Sequence, residues 1–400
     1  MSNLLDKASI ILTPTASNTS EVLCVKPSDG SGDFDFSRAT EATRVNSQGL
    51  VETIGINLPR INYEGFSYDG SGNVVPDSGC GSWLWEPQST NLITQSELFS
   101  DATWTKVGAG AADETIITSN YATSPDGTNN ASRAQFNAVG TANGDRANLY
   151  QNISVTSGET FTMSFYGKSA TATNEEVVLR MAVQQVSVTL TQEYQRFSHT
   201  YSVTSSGAKN FGIQIRGNSA VTSADIIIWG FQVEQQSYAT SYIPTSGSTV
   251  TRNQDVCNNG GSLASINSTE GTLYAEIAAL TNDGTTRIIS LSDGTTANRV
   301  NLFFDTTNTL RAFITGVPSI ATTAVITDNN KVALKFKSGD ISVWLNGTEV
   351  ATSTSAISLS GLSNLSFNQV GSSNFFGKTK ALAVWKEALS DAELTELTTI

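Results

Sequence analysis

The sequence predicts an all-β protein: an irregular N-terminal docking segment followed by two antiparallel β-sandwich (jelly-roll) domains. Three observations predict it. Short runs with alternating or continuous apolar residues recur at even spacing from residue 148 onward, without helical stretches between them. Clusters of Gly, Asn, Asp and Ser separate the runs, as tight turns require. Ser, Thr and Asn make up roughly a third of the 400 residues, a usage suited to short strands joined by turns.

Residues 1–90 are irregular, with Pro27-Ser28-Asp29-Gly30-Ser31-Gly32 and Asp69-Gly70-Ser71-Gly72 as turn signals. Their apolar pieces, at 9–12, 49–54 and 83–85, suffice for isolated strands but not for a large core. Such a segment gains stability by packing on a neighbouring domain or an identical subunit. Residues 91–250 hold the first series of strands, expected at 148–155, 160–167, 176–184, 195–203, 210–216 and 225–234. The series ends at 239–247, which reads as a strand leaving the domain to become a linker.

Residues 257–400 repeat the theme, with strands expected at 271–278, 286–292, 299–305, 309–315, 331–337, 340–345, 349–352 and 380–385. Asn346-Gly347 makes a tight hairpin there, because Asn-Gly tolerates the positive φ of a type I′ turn. One helix is expected at 390–398: Ser390 is a good N-cap, and Glu393 three residues on completes a capping box.

Lys and Arg number 23 against 36 Asp and Glu, a formal net charge of −13. That balance argues against nucleic acid, which is held by Lys and Arg replacing counterions. A single histidine, His199, and three cysteines, Cys24, Cys80 and Cys257, exclude a His-rich metal site and a CxxC zinc framework. The cysteines lie far apart and are expected as free thiols. No basic start leads into a long apolar run, so neither a cleaved signal peptide nor membrane insertion is expected.

A catalytic role is not expected. A glycosidase needs two carboxylates about 5–10 Å apart across the scissile bond. Glu175 and Glu176 are adjacent, so on a strand they point to opposite faces, and Glu393 and Glu396 lie on the solvated side of the expected helix. His199 shares a strand face with Phe197 and Tyr201, the setting of a packed residue, and no nucleophile elbow is present. Trp104, Tyr121 and Tyr150 lie near loops or strand ends of the middle domain, where an aromatic platform can stack on a sugar face. Trp104 fits a structural anchor equally well, and Trp229 and Trp385 lie in strongly apolar strands and read as core. Asp283, Asp293 and Asp305 are loop carboxylates able to offer oxygens to calcium, but Asn282-Asp283-Gly284 and Ser292-Asp293-Gly294 are also ordinary turn sequences. Arg133, Arg146 and Arg216 read as partners for surface carboxylates.

Three stretches carry a resemblance. The first is Phe36-Ser37-Arg38-Ala39-Thr40-Glu41-Ala42-Thr43-Arg44-Val45-Asn46-Ser47-Gln48-Gly49-Leu50-Val51-Glu52. The second is Trp83-Leu84-Trp85-Glu86-Pro87-Gln88-Ser89-Thr90-Asn91-Leu92, followed by Ser96-Glu97-Leu98-Phe99 and Trp104-Thr105-Lys106. The third is Ala239-Thr240-Ser241-Tyr242-Ile243-Pro244 with Val250-Thr251-Arg252. In this order they resemble a widespread family of bacteriophage virion proteins of tail-fibre, head-fibre or minor structural type. Ser89 stands where that pattern has Arg. The C-terminal part is similar to laminin-G-like and concanavalin-like lectin modules, through the 332–350 hairpin with Trp344 in its aromatic position and the ending Val384-Trp385-Lys386-Glu387-Ala388-Leu389-Ser390-Asp391-Ala392-Glu393-Leu394. Ile228-Trp229-Gly230-Phe231-Gln232-Val233-Glu234 similarly resembles carbohydrate-binding jelly rolls.

The resemblance implies a fibre, spike or appendage of the virion. Residues 1–90 would dock on other virion proteins, copies would assemble as a homotrimer, and the sandwiches would hold a host-surface glycan, with calcium in some such modules. A capsid decoration or head fibre with a mainly structural role is the alternative, and a polysaccharide depolymerase a third.

Overall fold

A computed structural model describes residues 2–63, 66–68, 74–76 and 81–400. Cys80 and the 69–72 turn lie outside the described residues. Strands dominate throughout, and the α-helices among the described residues are Ser2–Lys7 and Asp391–Thr398. Neither is long and apolar enough to cross a membrane. The chain forms two compact units: Met1–Gln48, Ile54–Pro87 and Asn253–Ile400 build the first, and Gly49–Thr53 with Gln88–Arg252 build the second. The second is thus an insertion in the first.

The first unit holds an eight-stranded antiparallel sheet and a five-stranded one with a shared core. Strand Gly377–Trp385 sits inside the larger sheet and receives two short strands from the amino end along one edge. Ile10–Leu12 pairs with Val384–Leu382, and Trp83–Trp85 pairs with Thr379–Gly377. Ile10, Leu12, Phe34, Phe36, Trp83 and Trp85 are each at most 2% exposed and join one cluster with Leu273, Leu302 and Phe336. The described residues of Met1–Gln48 and Ile54–Pro87 are thus built into the same unit as Asn253–Ile400. Pieces of three or four residues cannot close a core alone, but a sheet edge gives them both hydrogen-bond partners and an apolar face to cover.

A buried ionic network holds the crossings of this unit. The Arg38 guanidinium donates to Asp255 at 3.0 Å and to the carbonyls of Thr40, Gly55 and Leu58. Arg60 donates to Glu86 at 2.7 Å, to Asp255 at 2.5 Å and to the Thr43 carbonyl. The backbone N–H of Glu86 also donates to Asp255, at 2.9 Å. All four side chains are at most 3% exposed. Burial alone would lower the Arg60 pKa, but the facing Asp255 and Glu86 carboxylates outweigh it and raise it. Two cations and two anions in hydrogen-bond contact satisfy the condition under which charge tolerates burial.

Local signals fold as the sequence prescribes. Asn346 and Gly347 take φ of 49° and 84°, the left-handed pair of a type I′ hairpin. Ser390 and Glu393 form a complete capping box on the final helix. Lys7 then pairs with the same Glu393 at 2.7 Å.

The second unit is a five-stranded and a four-stranded antiparallel sheet around their own core. The four-stranded sheet consists of β1 (Arg146–Val155), β2 (Glu175–Met181), β3 (Gln184–Leu190) and β4 (Gly207–Arg216), in the order β1-β4-β2-β3. The strand expected at 176–184 ends at Met181, and β3, unforeseen, returns beside it. In β4, Phe211, Ile213 and Ile215 enter the core, so Gly212, Gln214 and Arg216 face the other way. The five-stranded sheet adds two further unforeseen strands, Ile116–Ala122 and Ala131–Asn137.

The ends of the insertion pair with each other, Ser89–Asn91 with Arg252–Val250. The Asn91 amide donates to the carbonyls of Phe231 and Ile243, and the Ser96 hydroxyl meets the Tyr242 hydroxyl at 2.6 Å. Ser89 donates to the buried Glu234 at 2.6 Å, and Glu234 also accepts from the backbone of Thr240. Lys106 ties its own loop by donating to the carbonyls of Ser100, Asp101 and Trp104. Asn91, Ser96 and Tyr242 thus help to hold the insertion closed at its ends.

Removing the shared anion tests the network. Asp255→Ala removes the carboxylate that the buried Arg38 and Arg60 share, and is expected to cost about 3–5 kcal/mol of unfolding free energy. A denaturant titration that finds a loss below about 1 kcal/mol, the scale of an exposed pair, contradicts this account.

Candidate functional site

The sequence-derived site residues separate in space. Trp104 is 2% exposed, stacks among Phe99 and Phe231 at centroid distances of 5.0 and 5.1 Å, and donates its indole N–H to the Gln95 carbonyl. It is a core anchor and not a ligand platform, because its apolar surface is already spent on the interior. Tyr121 lies on the edge strand of the five-stranded sheet, with the Arg133 guanidinium 5.1 Å from its ring centre. Arg133 in turn pairs with Asp225, as expected of it. Tyr150 lies on β1 of the other sheet. The three aromatics therefore form no common platform.

The three loop aspartates are turn caps. Asp283 accepts from the backbone of Thr285 and from Arg287. Asp293 accepts from the backbone and hydroxyl of Thr295 and from Asn298. Asp305 accepts from Thr307, from the backbone of Thr309 and from Arg311. Among the described residues no three His, Cys, Asp or Glu come together as metal ligands. Short carboxylates at turns bond first to their own backbone two residues on.

A depression of about 330 Å³ in the second unit is lined by Asp113, Glu114, Gln135, Asn137, Glu175 and Asp225, among others. Three of its four carboxylates are engaged, Asp225 by Arg133, Asp113 by Asn137 and Glu175 by Thr171, while Glu114 makes no hydrogen bond or ion pair among the described residues. His199 sits opposite Met163, between the core-packed Phe197 and Tyr201, and its pKa is lowered by burial.

The outward face of the four-stranded sheet is different. Register sets Tyr150, Gly212 and Arg180 in one row, Asn148, Gln214 and Val178 in the next, and Arg146 with Arg216 in a third. Strand alternation puts all of them on the side away from the core. The Arg180 guanidinium lies 5.7 Å from the Tyr150 ring centre. Gly212 leaves no side chain between them, and none would fit: a Cβ there would meet the Leu149 carbonyl oxygen at 2.0 Å. Arg146 donates to the Asn143 carbonyl and Arg216 to the Asn143 side chain at 2.6 Å.

No carboxylate among the described residues pairs with any of the three arginines. This overturns the expectation for Arg146 and Arg216. Arg180 has its pKa lowered by burial and by the charge of Arg146, and Arg216 by burial and by both other arginines. Gln214 is fully buried, yet neither its amide nitrogen nor its oxygen has a partner, and the Asn148 side-chain oxygen and the Arg216 Nε are also unmatched. Each such unmade bond costs about 1–3 kcal/mol. Converging donors and acceptors, uncompensated positive charge and an aromatic edge are what a polar ligand completes. Arg180 and Gln214 were not singled out from the sequence. The alternation of Phe211, Ile213 and Ile215 signalled an outward Gln214, but only register shows which arginines surround it.

No family model matches the chain, and no curated protein matches it. Among solved structures, the Ruminococcus gnavus IT-sialidase CBM40 is 17% identical at a TM-score of 0.30, covering 35% of this chain and 93% of that one. Domain 4 of AbnA, a GH43 extracellular arabinanase from Geobacillus stearothermophilus, in complex with arabinotriose, is 13% identical at 0.31, covering 41% and 84%. The CBM22-1 xylan-binding domain from Paenibacillus barcinonensis Xyn10C is 16% identical at 0.25, covering 38% and 94%. At these scores the likeness carries nothing about ligands, and the all-β architecture rests on the strands themselves.

Two measurements follow from the turn caps. Calcium at about 1 mM, the range of extracellular modules, is expected to leave the thermal midpoint unchanged if these carboxylates act only as turn caps, whereas a rise of several degrees supports a calcium site there. Burial raises the Asp305 carboxyl, but hydrogen bonds from Thr307, Thr309 and Arg311 together bring it down to about 2. Its folded pKa is thus below the ordinary value of about 3.9. Stability from its charge is present above that value and disappears as pH falls toward about 2. The stability difference between wild type and Asp305→Asn should therefore be full at neutral pH and shrink to nothing in that acid window. A difference independent of pH contradicts the assignment.

Proposed function

We propose that this protein is a bacteriophage structural protein, a fibre, spike or appendage of the virion, whose inserted sandwich attaches to surface glycan. The observation that carries the binding half is the outward face of the four-stranded sheet, where Tyr150 stands beside Arg180 and the buried Gln214 has both amide groups unmatched. Gln214 and Asn148 hold polar atoms unmatched within the protein, and a ligand of many hydroxyls supplies both donors and acceptors. The phage half rests on the three sequence stretches and their order. Within those stretches Arg38, Glu86, Asn91, Ser96 and Tyr242 are buried and hydrogen-bonded.

Binding takes precedence over catalysis because the unmatched polar groups and the aromatic ring lie together on the outward sheet face. Docking on other virion proteins would use a face of the first unit, because its amino-terminal residues are built into a sheet. Several copies, as in a homotrimer, would turn weak individual sites into firm attachment.

The full-length chain and Tyr150→Ala are to be compared on a glycan array that includes host polysaccharide. Wild-type binding with at least a tenfold loss in the variant is expected. Absence of glycan binding, together with a capsid location in the intact particle by microscopy, supports a purely structural decoration instead.

A further inference from the structure

We propose that the glycan held by the outward face of the four-stranded sheet is acidic, its anionic substituent, a carboxylate or a sulfate, seated among Arg146, Arg180 and Arg216. This rests on the reading of that face as a glycan site and names the class of sugar.

The charge balance of the chain makes the cluster informative. Acidic residues outnumber basic ones, 36 to 23, yet this sheet face gathers three arginines and pairs none of them with an acid. Elsewhere in the same unit Arg133 has its carboxylate, Asp225. Glu176 shares the outward face of β2 by alternation, two residues from Val178, and still makes no ion pair with the three. Like charges held together oppose folding, and burial and mutual repulsion lower the pKa of both Arg180 and Arg216. An anion removes that repulsion when it binds.

The geometry supplies what an acidic sugar needs beyond charge. Same-face residues lie about 7 Å apart along a strand and about 5 Å apart between strands, so these rows cover an area of sugar-ring dimensions. Guanidinium groups present planar forks that match a carboxylate or sulfate edge. Gln214, fully buried and unpartnered at both amide atoms, lies in the row between the Arg180 row and the Arg146–Arg216 row. Its NH₂ donates and its oxygen accepts, as ring hydroxyls require, and the unmatched Asn148 oxygen adds a second acceptor beside it. Tyr150 offers a ring edge and face at the border of the same area. A neutral glycan would use the amides and the ring but leave the three charges uncompensated.

The test uses the full chain at about 0.15 M salt, a Debye length near 8 Å, so that diffuse attraction is screened. Calorimetric titration is run with oligogalacturonate, its methyl ester, polysialic acid, hyaluronan, dextran sulfate and neutral dextran. Saturable binding to at least one acidic polymer is expected, with a tenfold or greater loss in Arg180→Gln and in Arg216→Gln. The thermal midpoint of both variants should stay level or rise, because each substitution removes repulsion. If oligogalacturonate is the ligand, methyl esterification abolishes binding. Binding confined to dextran sulfate supports the proposal and assigns the substituent as sulfate, whereas binding to the others assigns a carboxylate. Acidic polymer binding that survives the double Arg180→Gln, Arg216→Gln variant overturns it by placing the anion elsewhere. Binding of neutral dextran or of a neutral array glycan, unaffected by the arginine variants but lost in Tyr150→Ala, overturns the acidic class while the glycan site stands. No binding to any acidic or neutral glycan overturns both.

Discussion

The arrangement of the chain depends on one buried carboxylate. Asp255 accepts from Arg38 and Arg60 and from the backbone of Glu86, so it joins the strand region near residue 38, the exit at Glu86 and the re-entry after Asn253. An insertion of well over a hundred residues separates Glu86 from Asp255 in sequence, and no local signal could bring them together. Desolvating four charged groups is costly, and their mutual satisfaction returns that cost only in this geometry. The network therefore specifies where the first unit closes more than it adds to stability. The insertion closes independently through the pairing of Ser89–Asn91 with Val250–Arg252 and the hydrogen bonds of Asn91.

Each sheet has two faces, and in the inserted unit the contrast between them bears on function. The inner face of the four-stranded sheet is apolar and complete, with Leu149, Leu179, Phe211 and Ile213 at most 1% exposed. The outer face repeats the same register but carries Tyr150, Asn148, Gln214 and three arginines with few partners. A rigid scaffold allows that imbalance, because the core beneath holds the backbone whether or not the outer groups are satisfied.

Much of the fold was legible in the residues. The alternation of Phe211, Ile213 and Ile215 fixed a strand and its inner face, Asn346-Gly347 fixed a hairpin, and Ser390 with Glu393 fixed the start of the last helix. These are short-range effects, decided by backbone conformation and by neighbours within a few positions. Strands Ile116–Ala122 and Ala131–Asn137 were missed because the first is half exposed and the second carries Ser132, Arg133 and Gln135, so their apolar pattern is weak. The site was legible only in Tyr150. Trp104 in a loop-like stretch suggested exposure, yet it fills a core cavity beside Phe99 and Phe231, and the aspartates suggested a metal but cap their own turns.

The sequence alone determined an all-β chain with one short capped helix at its end, a strongly acidic surface and no metal framework of His or paired Cys. Periodicity, turn chemistry and composition are properties of contiguous residues, so they can be read without coordinates. Only the tertiary structure decided that Ile10–Leu12 and Trp83–Trp85 complete a sheet made with Asn253–Ile400, and that Arg146, Arg180, Gln214 and Arg216 share one outward face. Both outcomes depend on strand register and on which edge receives which strand. Those choices are made by long-range hydrogen bonding and burial between segments far apart in the chain, and single residues do not record them.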